Sequence, residues 1–226
     1  VQLKNVELCK PKPFAHHPYK VRDDEAMEAL IDSIRINGIM TPLLVRPTDV
    51  GAGEYEVISG HRRMHAAEKA GLKTVPAFVA EMDRAESIIK MVDSNLQREH
   101  LLPSEKAFAY RLKADAMSRQ GQRIDLVTSG QVVPKPDDRR TSALIGEAIG
   151  ESYKTVDRYI RLTELIPELM DLVDKGRIAF SVGVELSYLT EEQQHEIALD
   201  AEVLERTPSY SQAVRMHKFE REGMLD

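Results

Sequence analysis

The sequence predicts an α+β, mainly helical protein in which a small α/β unit precedes an all-helical segment. Three observations lead there. Helix formers (Ala, Leu, Glu, Lys, Arg, Met) dominate, while aromatic residues make up 5% of the chain and Trp is absent. Short strand-like runs alternate with amphipathic helices over roughly the first hundred residues, the pattern of an α/β unit. Further on, apolar residues recur at helical spacing between single glycines.

At 226 residues, 42% of them hydrophobic and 30% charged, the chain is long enough for one or two cores. The single Cys9 cannot form an internal disulfide, and no Cys/His cluster has zinc spacing. No apolar run approaches the roughly 18 residues of a membrane span, and no signal peptide is visible. The expected compartment is the cytoplasm, without a membrane partner. A net charge of −6 argues against indiscriminate nucleic-acid binding by the whole surface but leaves room for local basic patches.

The first elements follow in order. Val6-Glu7-Leu8 is a strand candidate, ended by Pro11 and Pro13, and His16-His17-Pro18-Tyr19 reads as a loop with surface histidines. Asp23 or Asp24 caps an amphipathic helix whose Met27, Leu30, Ile31 and Ile34 keep the i, i+3, i+4, i+7 rule, and Gly38 closes it. Leu43 to Pro47 is a short buried strand, 49–53 is turn material, and Glu54 to Ile58 is the returning strand. Thr74 to Val79 is another strand, and Ala85 to Val92 is helical by the spacing of Ile88, Ile89 and Val92. Pro103 suits the first turn of the next helix. Phe108, Leu112 and Ala116 are its expected apolar face, and its expected end is near Gly121.

Within this unit the informative stretch is Ile58-Ser59-Gly60-His61-Arg62-Arg63-Met64-His65-Ala66-Ala67. A strand enters a glycine and leaves as a helix that runs to Ala70, with Gly71 at its C′ position. Unpaired N–H groups at the helix start, together with the helix dipole, make an anion site. Two consecutive arginines add charged forks suited to phosphate oxygens. Taken alone, Gly-x-Arg-Arg is also compatible with a solvated basic helix start.

Thr41 to Arg46, Gly60 to Ala67 and Asn95 to Leu101 resemble, in order and spacing, the three boxes of the ParB-type partition proteins. Those boxes are a Leu/Val-Val-Arg-Pro strand, Gly-Glu-Arg-Arg-x-Arg-Ala, and Glu-Asn-x-Gln-Arg-x-x-Leu. The resemblance implies a ParB/sulfiredoxin-like first domain that binds CTP with Mg²⁺. Gly60, Arg62 and Arg63 would hold the triphosphate, and Asn95 would help position the metal. The strand with Thr41, Val45 and Arg46 would wall the cytosine, with Ser59, His61, Gln97 and Arg98 completing the implied nucleotide set. Two acidic positions of the boxes are His61 and Ser94 here, and His65-Ala66 softens an Arg-Ala pair. These changes favour nucleotide binding over hydrolysis and imply at most a slow CTPase. A sulfiredoxin-like enzyme would need a Cys where Gly60 stands. A free-serine-kinase-like enzyme of the same superfamily, or a transcription regulator without nucleotide switching, are the other readings.

After an expected connecting helix (102–120), residues 121–140 mix Gly, Ser, Pro and charge without a period and read as a flexible linker. Thr141 is an expected cap for a helix burying Leu144, Ile145, Ala148 and Ile149. Gly150 turns the chain, and Ser152 caps the helix from Tyr153 to Leu162. Gly146, four before the turn glycine, and Val156, six after it, fit a helix-turn-helix. An ordinary αα-hairpin with a charged outer face fits the spacing as well. The phrase Gly150 to Pro167 also resembles the DNA-binding segment of the same family. On that reading Thr141, Ser152, Tyr153, Lys154, Thr155 and Arg158 face a major groove, where Lys and Arg can read guanine edges. Further helices follow Pro167, Phe180, Thr190 and Ser209, the last carrying Val214 and Phe219. The expected domains are thus 1–101, nucleotide-binding, and 141–226, DNA-binding. No segment reads as the dimerisation domain that usually follows in the family. The implied partners are double-stranded DNA with a palindromic site, a partition ATPase and a second copy of the chain on DNA and nucleotide, in association with a nucleoid or plasmid.

Overall fold

The computed structural model describes residues 1–8, 11–14, 17–19, 21–48, 53–96, 101–128 and 138–224, by backbone alone at 120–128 and 138. The chain divides into two compact units, Val1–Asn95 and Leu96–Asp226.

The first unit is built on a mixed sheet of β1 (Gln2–Glu7), β2 (Pro11–Lys12), β3 (Leu43–Pro47), β4 (Tyr55–Ser59) and β5 (Thr74–Val79), in the order β1-β5-β3-β4-β2. β1 with β5 and β3 with β4 are antiparallel, while β3 with β5 and β2 with β4 are parallel. Parallel neighbours need a crossover rather than a hairpin, and between β3 and β5 that crossover carries α2 (His61–Lys69). The period of two puts Leu43 and Val45 on one face of β3. There they join Val57, Val75 and Ala77 with Met27 and Ile34 of α1 (Glu25–Asn37) and Met64, Ala66 and Ala67 of α2. Asp24 caps α1, its carboxylate accepting from the Met27 N–H at 2.8 Å. The other face of the β3–β4 hairpin closes over an ion pair. Arg46 and Glu56 stand directly opposite each other, 2.8 Å apart, and both are buried. α3 (Arg84–Leu96) completes the unit.

The described part of the second unit is helical: α4 (Pro103–Thr128), α5 (Asp138–Ile149), α6 (Tyr153–Leu162), α7 (Pro167–Asp174), α8 (Phe180–Leu186), α9 (Glu191–Val203) and α10 (Tyr210–Arg221). Leu162, Leu165, Leu169, Val173, Ile178 and Leu186 form the centre of its larger core. Ser152, Thr190 and Ser209 cap α6, α9 and α10, the last two through full capping boxes.

Several expectations need correction. α4 passes Gly121 and continues to Thr128, so the expected linker begins later; residues 129–137 lie outside the described residues. One interior glycine costs a helix only about 1 kcal/mol, which the helix formers around it offset. α5 starts at Asp138, which places Thr141 inside the helix rather than at its cap. Ala116 is buried as expected, but Phe108 is 45% exposed, and α4 instead buries Ala107, Ala109, Tyr110 and Lys113. In α5, Leu144 is 48% exposed and Ala148 is exposed, while Ile145 is fully buried with Ser142 beside it on the inner face. In α4 the small Ala107 and Ala109 permit close approach while Phe108 between them is rotated outward, and in α5 it is Ile145 that fills the contact.

The start of α4 is held from a distance in sequence. The Asp174 carboxylate accepts from the Ser104 N–H at 2.9 Å and from its hydroxyl at 2.6 Å. This satisfies one of the N-terminal donors that a helix cannot satisfy itself. Replacing Asp174 with Ala should lower unfolding stability by about 1–2 kcal/mol, the usual cost of losing a cap, read as a shifted denaturant midpoint with unchanged slope.

Candidate nucleotide site and helix-turn-helix face

β4 ends at Ser59, and Gly60 turns the chain into α2 with φ +103° and ψ 22°. A Cβ at Gly60 would lie 2.5 Å from Leu43 Cδ2 and 3.2 Å from Arg63 Nη2. Both the left-handed backbone and the space therefore require glycine. The ladder of α2 opens with the Met64 N–H donating to the Gly60 carbonyl at 2.9 Å. The N–H groups of His61, Arg62 and Arg63 precede it and have no acceptor within the helix. With the positive end of the helix dipole they mark a place for an anion.

Arg63 curls back over this start, donating to the Thr41 carbonyl and, at 2.9 Å, to that of Pro42. Thr41, Gly60 and Arg63 are thus brought together. Arg62 reaches Asp24 Oδ1 at 3.1 Å. One turn on, His65 and Lys69 meet Asp23 at 3.0 and 2.7 Å. The hydrogen bond from Arg62 holds the Asp24 carboxyl below its ordinary value of 3.8, and those from Lys69 and His65 do the same for Asp23.

The remaining nucleotide-set residues are placed differently. Ser59 is half-buried beside Gly60. Val45 lies wholly in the core, and Arg46 is 3% exposed and paired with Glu56, so the structure does not present either side chain to an outside ligand. His61 is 8% exposed, its Nε2 accepting from the Phe14 N–H at 3.4 Å. The His17 ring lies tilted against it with centroids 3.7 Å apart. His17 is therefore not the surface residue that its loop suggests; His16 lies outside the described residues. Tyr19 donates its hydroxyl to the Val92 carbonyl of α3 at 3.5 Å, and Arg84 of α3 lies over the Phe14 ring. Phe14, His17 and Tyr19 thus clasp the start of α2 and the length of α3 to one segment. Sequence reasoning missed all three; a Phe and a Tyr in an otherwise polar, Pro-rich loop were the available signal. Asn95 is 3% exposed, and its amide nitrogen turns back on its own helix to the Met91 carbonyl at 2.8 Å, an acceptor that it shares with the Ser94 hydroxyl at 2.9 Å. Gln97 and Arg98 lie outside the described residues.

In the second unit, α5 and α6 cross closely at Gly146. A Cβ there would lie 2.5 Å from the Glu151 carbonyl oxygen, which leaves room for glycine alone. Val156 is fully buried between the helices beside Ile145. The Ser152 hydroxyl caps α6, accepting from the Thr155 N–H at 3.2 Å, with the Thr155 hydroxyl 2.9 Å away. Tyr153, Lys154 and Arg158 are exposed, Thr155 is half-buried, and Thr141 is half-buried on α5. Glu151 in the turn accepts from Lys106 at 2.9 Å and from the Tyr110 hydroxyl at 3.2 Å, which seats the turn on α4. Neither α4 residue was singled out from the sequence.

The probable chromosome-partitioning protein ParB of Pseudomonas putida is 33% identical over 181 residues, which cover 80% of this chain and 54% of that protein. The chromosome-partitioning protein Spo0J of Thermus thermophilus is 32% identical over 206 residues, covering 91% and 66%. Residues 2–96 match the model of the ParB N-terminal domain family. The chain belongs to the ParB family. It spans between about half and two thirds of the length of these two relatives. Among solved structures, a pNOB8-like ParB N-domain is similar at a TM-score of 0.58 and 15% identity, covering 100% of this chain and 98% of the other, which shows a shared fold. Among the described residues, no helix is long and apolar enough to cross a membrane.

Two outcomes follow for the Gly60 site. Gly60→Ala should destabilise the first unit by about 1–3 kcal/mol, the cost of a side chain held in a sparsely allowed region, measured by thermal unfolding. The Arg62–Asp24 tie should persist through neutral pH and fail only in acid. A depressed carboxyl contributes stability above its unfolded value, near 3.8 here, and loses it as pH falls through the lower folded value. A carboxyl-carbon NMR titration should show Asp24 moving back toward 3.8 in Arg62→Gln.

Proposed function

We propose that this chain is a CTP-responsive protein that binds a specific, palindromic double-stranded DNA site and serves partition of a chromosome, plasmid or mobile element. The observation that carries the DNA-binding half is the α5–α6 crossing. A carbonyl occupies the space where Gly146 lacks a Cβ, and the outer face of α6 is left with Tyr153, Lys154 and Arg158 exposed. One such unit covers a half-site, so a palindrome calls for two copies of the chain. A partition ATPase is the further partner that this role requires.

The nucleotide half rests on the Gly60 start of α2. Phosphate oxygens placed there would take over the donors that Arg62 and Arg63 now spend on Asp24 and on two carbonyls. The exchange is favourable because the Arg62–Asp24 pair is partly exposed and such pairs contribute about 0–1 kcal/mol, whereas arginine–phosphate pairs are charge-assisted and often bidentate. Magnesium fits less well. The described residues hold no cluster of three or more His, Cys, Asp or Glu side chains suited to a metal, and Asn95 is a neutral ligand whose amide nitrogen is tied to Met91. The ion therefore enters this reading only as a companion of the triphosphate. Hydrolysis would be slow, since Ser94 and His61 stand where the family's boxes carry carboxylates.

Nucleotide titration of the full chain with its selected DNA site tests this reading. CTP should bind in preference to ATP, and Arg63→Ala should weaken it about 10- to 150-fold, the loss of a charge-assisted hydrogen bond. Asp24→Asn keeps a capping acceptor but releases Arg62, and should tighten CTP by up to about fivefold. Unchanged affinity in Arg63→Ala would refute the site, and ATP preference with serine phosphorylation would establish the kinase reading instead.

A further inference from the structure

Arg158 does not stand alone on the outer face of α6. Its guanidinium carbon lies over the ring of Phe180, 5.1 Å from the centroid. Phe180 is the first residue of α8, and its ring also meets that of Tyr159, with centroids 4.5 Å apart. Tyr159 in turn meets the buried Tyr110 edge-on at 5.5 Å, with the Lys106 ammonium 5.3 Å from its ring. The ring beneath Arg158 is therefore held by a row of aromatic side chains that ends in the interior.

Arg161, one turn further along α6, gives the contrast. It also lies over a ring, Tyr188, at 4.2 Å, but its N–H groups are spent on the Ser187 hydroxyl and carbonyl. Among the described residues Arg158 makes no hydrogen bond or ion pair, so it rests over the ring with its N–H groups unspent.

We infer that Phe180 is a positioning residue that orients Arg158 for base reading, an inference that rests on the reading of α6 as the DNA-contacting helix. A free arginine samples many rotamers and loses that freedom when it reads a base. Stacking on an aromatic ring engages the π-face of the guanidinium and leaves the in-plane N–H fork available. That fork is what meets guanine O6 and N7 together in the major groove. A ring supplied by α8 restricts the fork before DNA arrives. It also makes α8 a contributor to sequence preference without touching a base.

The test measures binding of the full chain to its selected site and to every single-base-pair variant of it, with the salt slope recorded alongside. Arg158→Ala should abolish discrimination at one base pair, a change of about 5- to 150-fold. Phe180→Leu keeps an apolar side chain of similar bulk but removes the ring. It should reduce discrimination at that same base pair by about 2- to 30-fold, with the salt slope unchanged. Phe180→Tyr should restore it to within about twofold, because the ring returns. Adding Phe180→Leu to Arg158→Ala should cost nothing further, since the two act as a unit. A uniform loss across all variants in Phe180→Leu, or additive effects in the double variant, would overturn the inference and leave Phe180 a packing residue. Normal discrimination in Arg158→Ala would overturn the assignment of α6 itself, and the inference with it.

Discussion

At Gly60 the polypeptide leaves β4 in a left-handed conformation, pressed so closely on Leu43 that no side chain fits. From that point α2 begins, its Met64, Ala66 and Ala67 seal the core, and its first N–H groups lie at the end of the helix that Gly60 opens. Arg63 then reaches back to the Thr41–Pro42 backbone, and Arg62 to the cap of α1. One steric requirement therefore fixes a helix, an anion-facing edge and the neighbouring loop together. The same residue type solves a related problem in the second unit. There Gly146 lets α5 approach the backbone after Gly150, and the chemistry of the outer face of α6 depends on that closeness.

The two sites differ in how their charges are held. Around α2 the cations are already engaged by carboxylates or carbonyls, mostly at partly exposed positions where such ties are weak. A ligand would exchange partners rather than fill a void. On the outer face of α6, Arg158 makes no hydrogen bond or ion pair among the described residues, and its order comes instead from an aromatic row that reaches α4. The first arrangement suits a ligand that comes and goes, the second a surface that meets its target already shaped.

Much of this was legible in the sequence because local rules were sufficient. β3 and β5 begin and end at the residues that their sequence runs indicate, and Gly38, Gly71, Ser152, Thr190 and Ser209 end or start helices as their chemistry suggests. The fold class and the family follow from three boxes in register. What was hidden depends on partners far away in the chain. Two-residue β2 has no periodicity, and it exists through its pairing with β4. The face of α4 was misread because Ala107 and Tyr110 face the interior while the more hydrophobic Phe108 turns outward. In the site, Gly60, Arg62 and Arg63 were visible as a motif, whereas Asp24 as partner of Arg62, and Phe14 and His17 against His61, appear only once the sheet brings the segments together.

The buried pair across β3 and β4 has a consequence for how this domain can change over evolutionary time. Arg46 and Glu56 face each other with almost no access to water. Losing either one alone deprives a buried charge of its opposite, at about 3–5 kcal/mol, while replacing both with apolar residues of similar volume is often close to neutral. The two acceptable solutions are thus separated by intermediates that fold poorly, although each lies only two substitutions from the other. Drift at one position is held in check by the other, so the hairpin works as a ratchet: a lineage that has acquired the ionic solution keeps it, whatever the ligand beside it becomes.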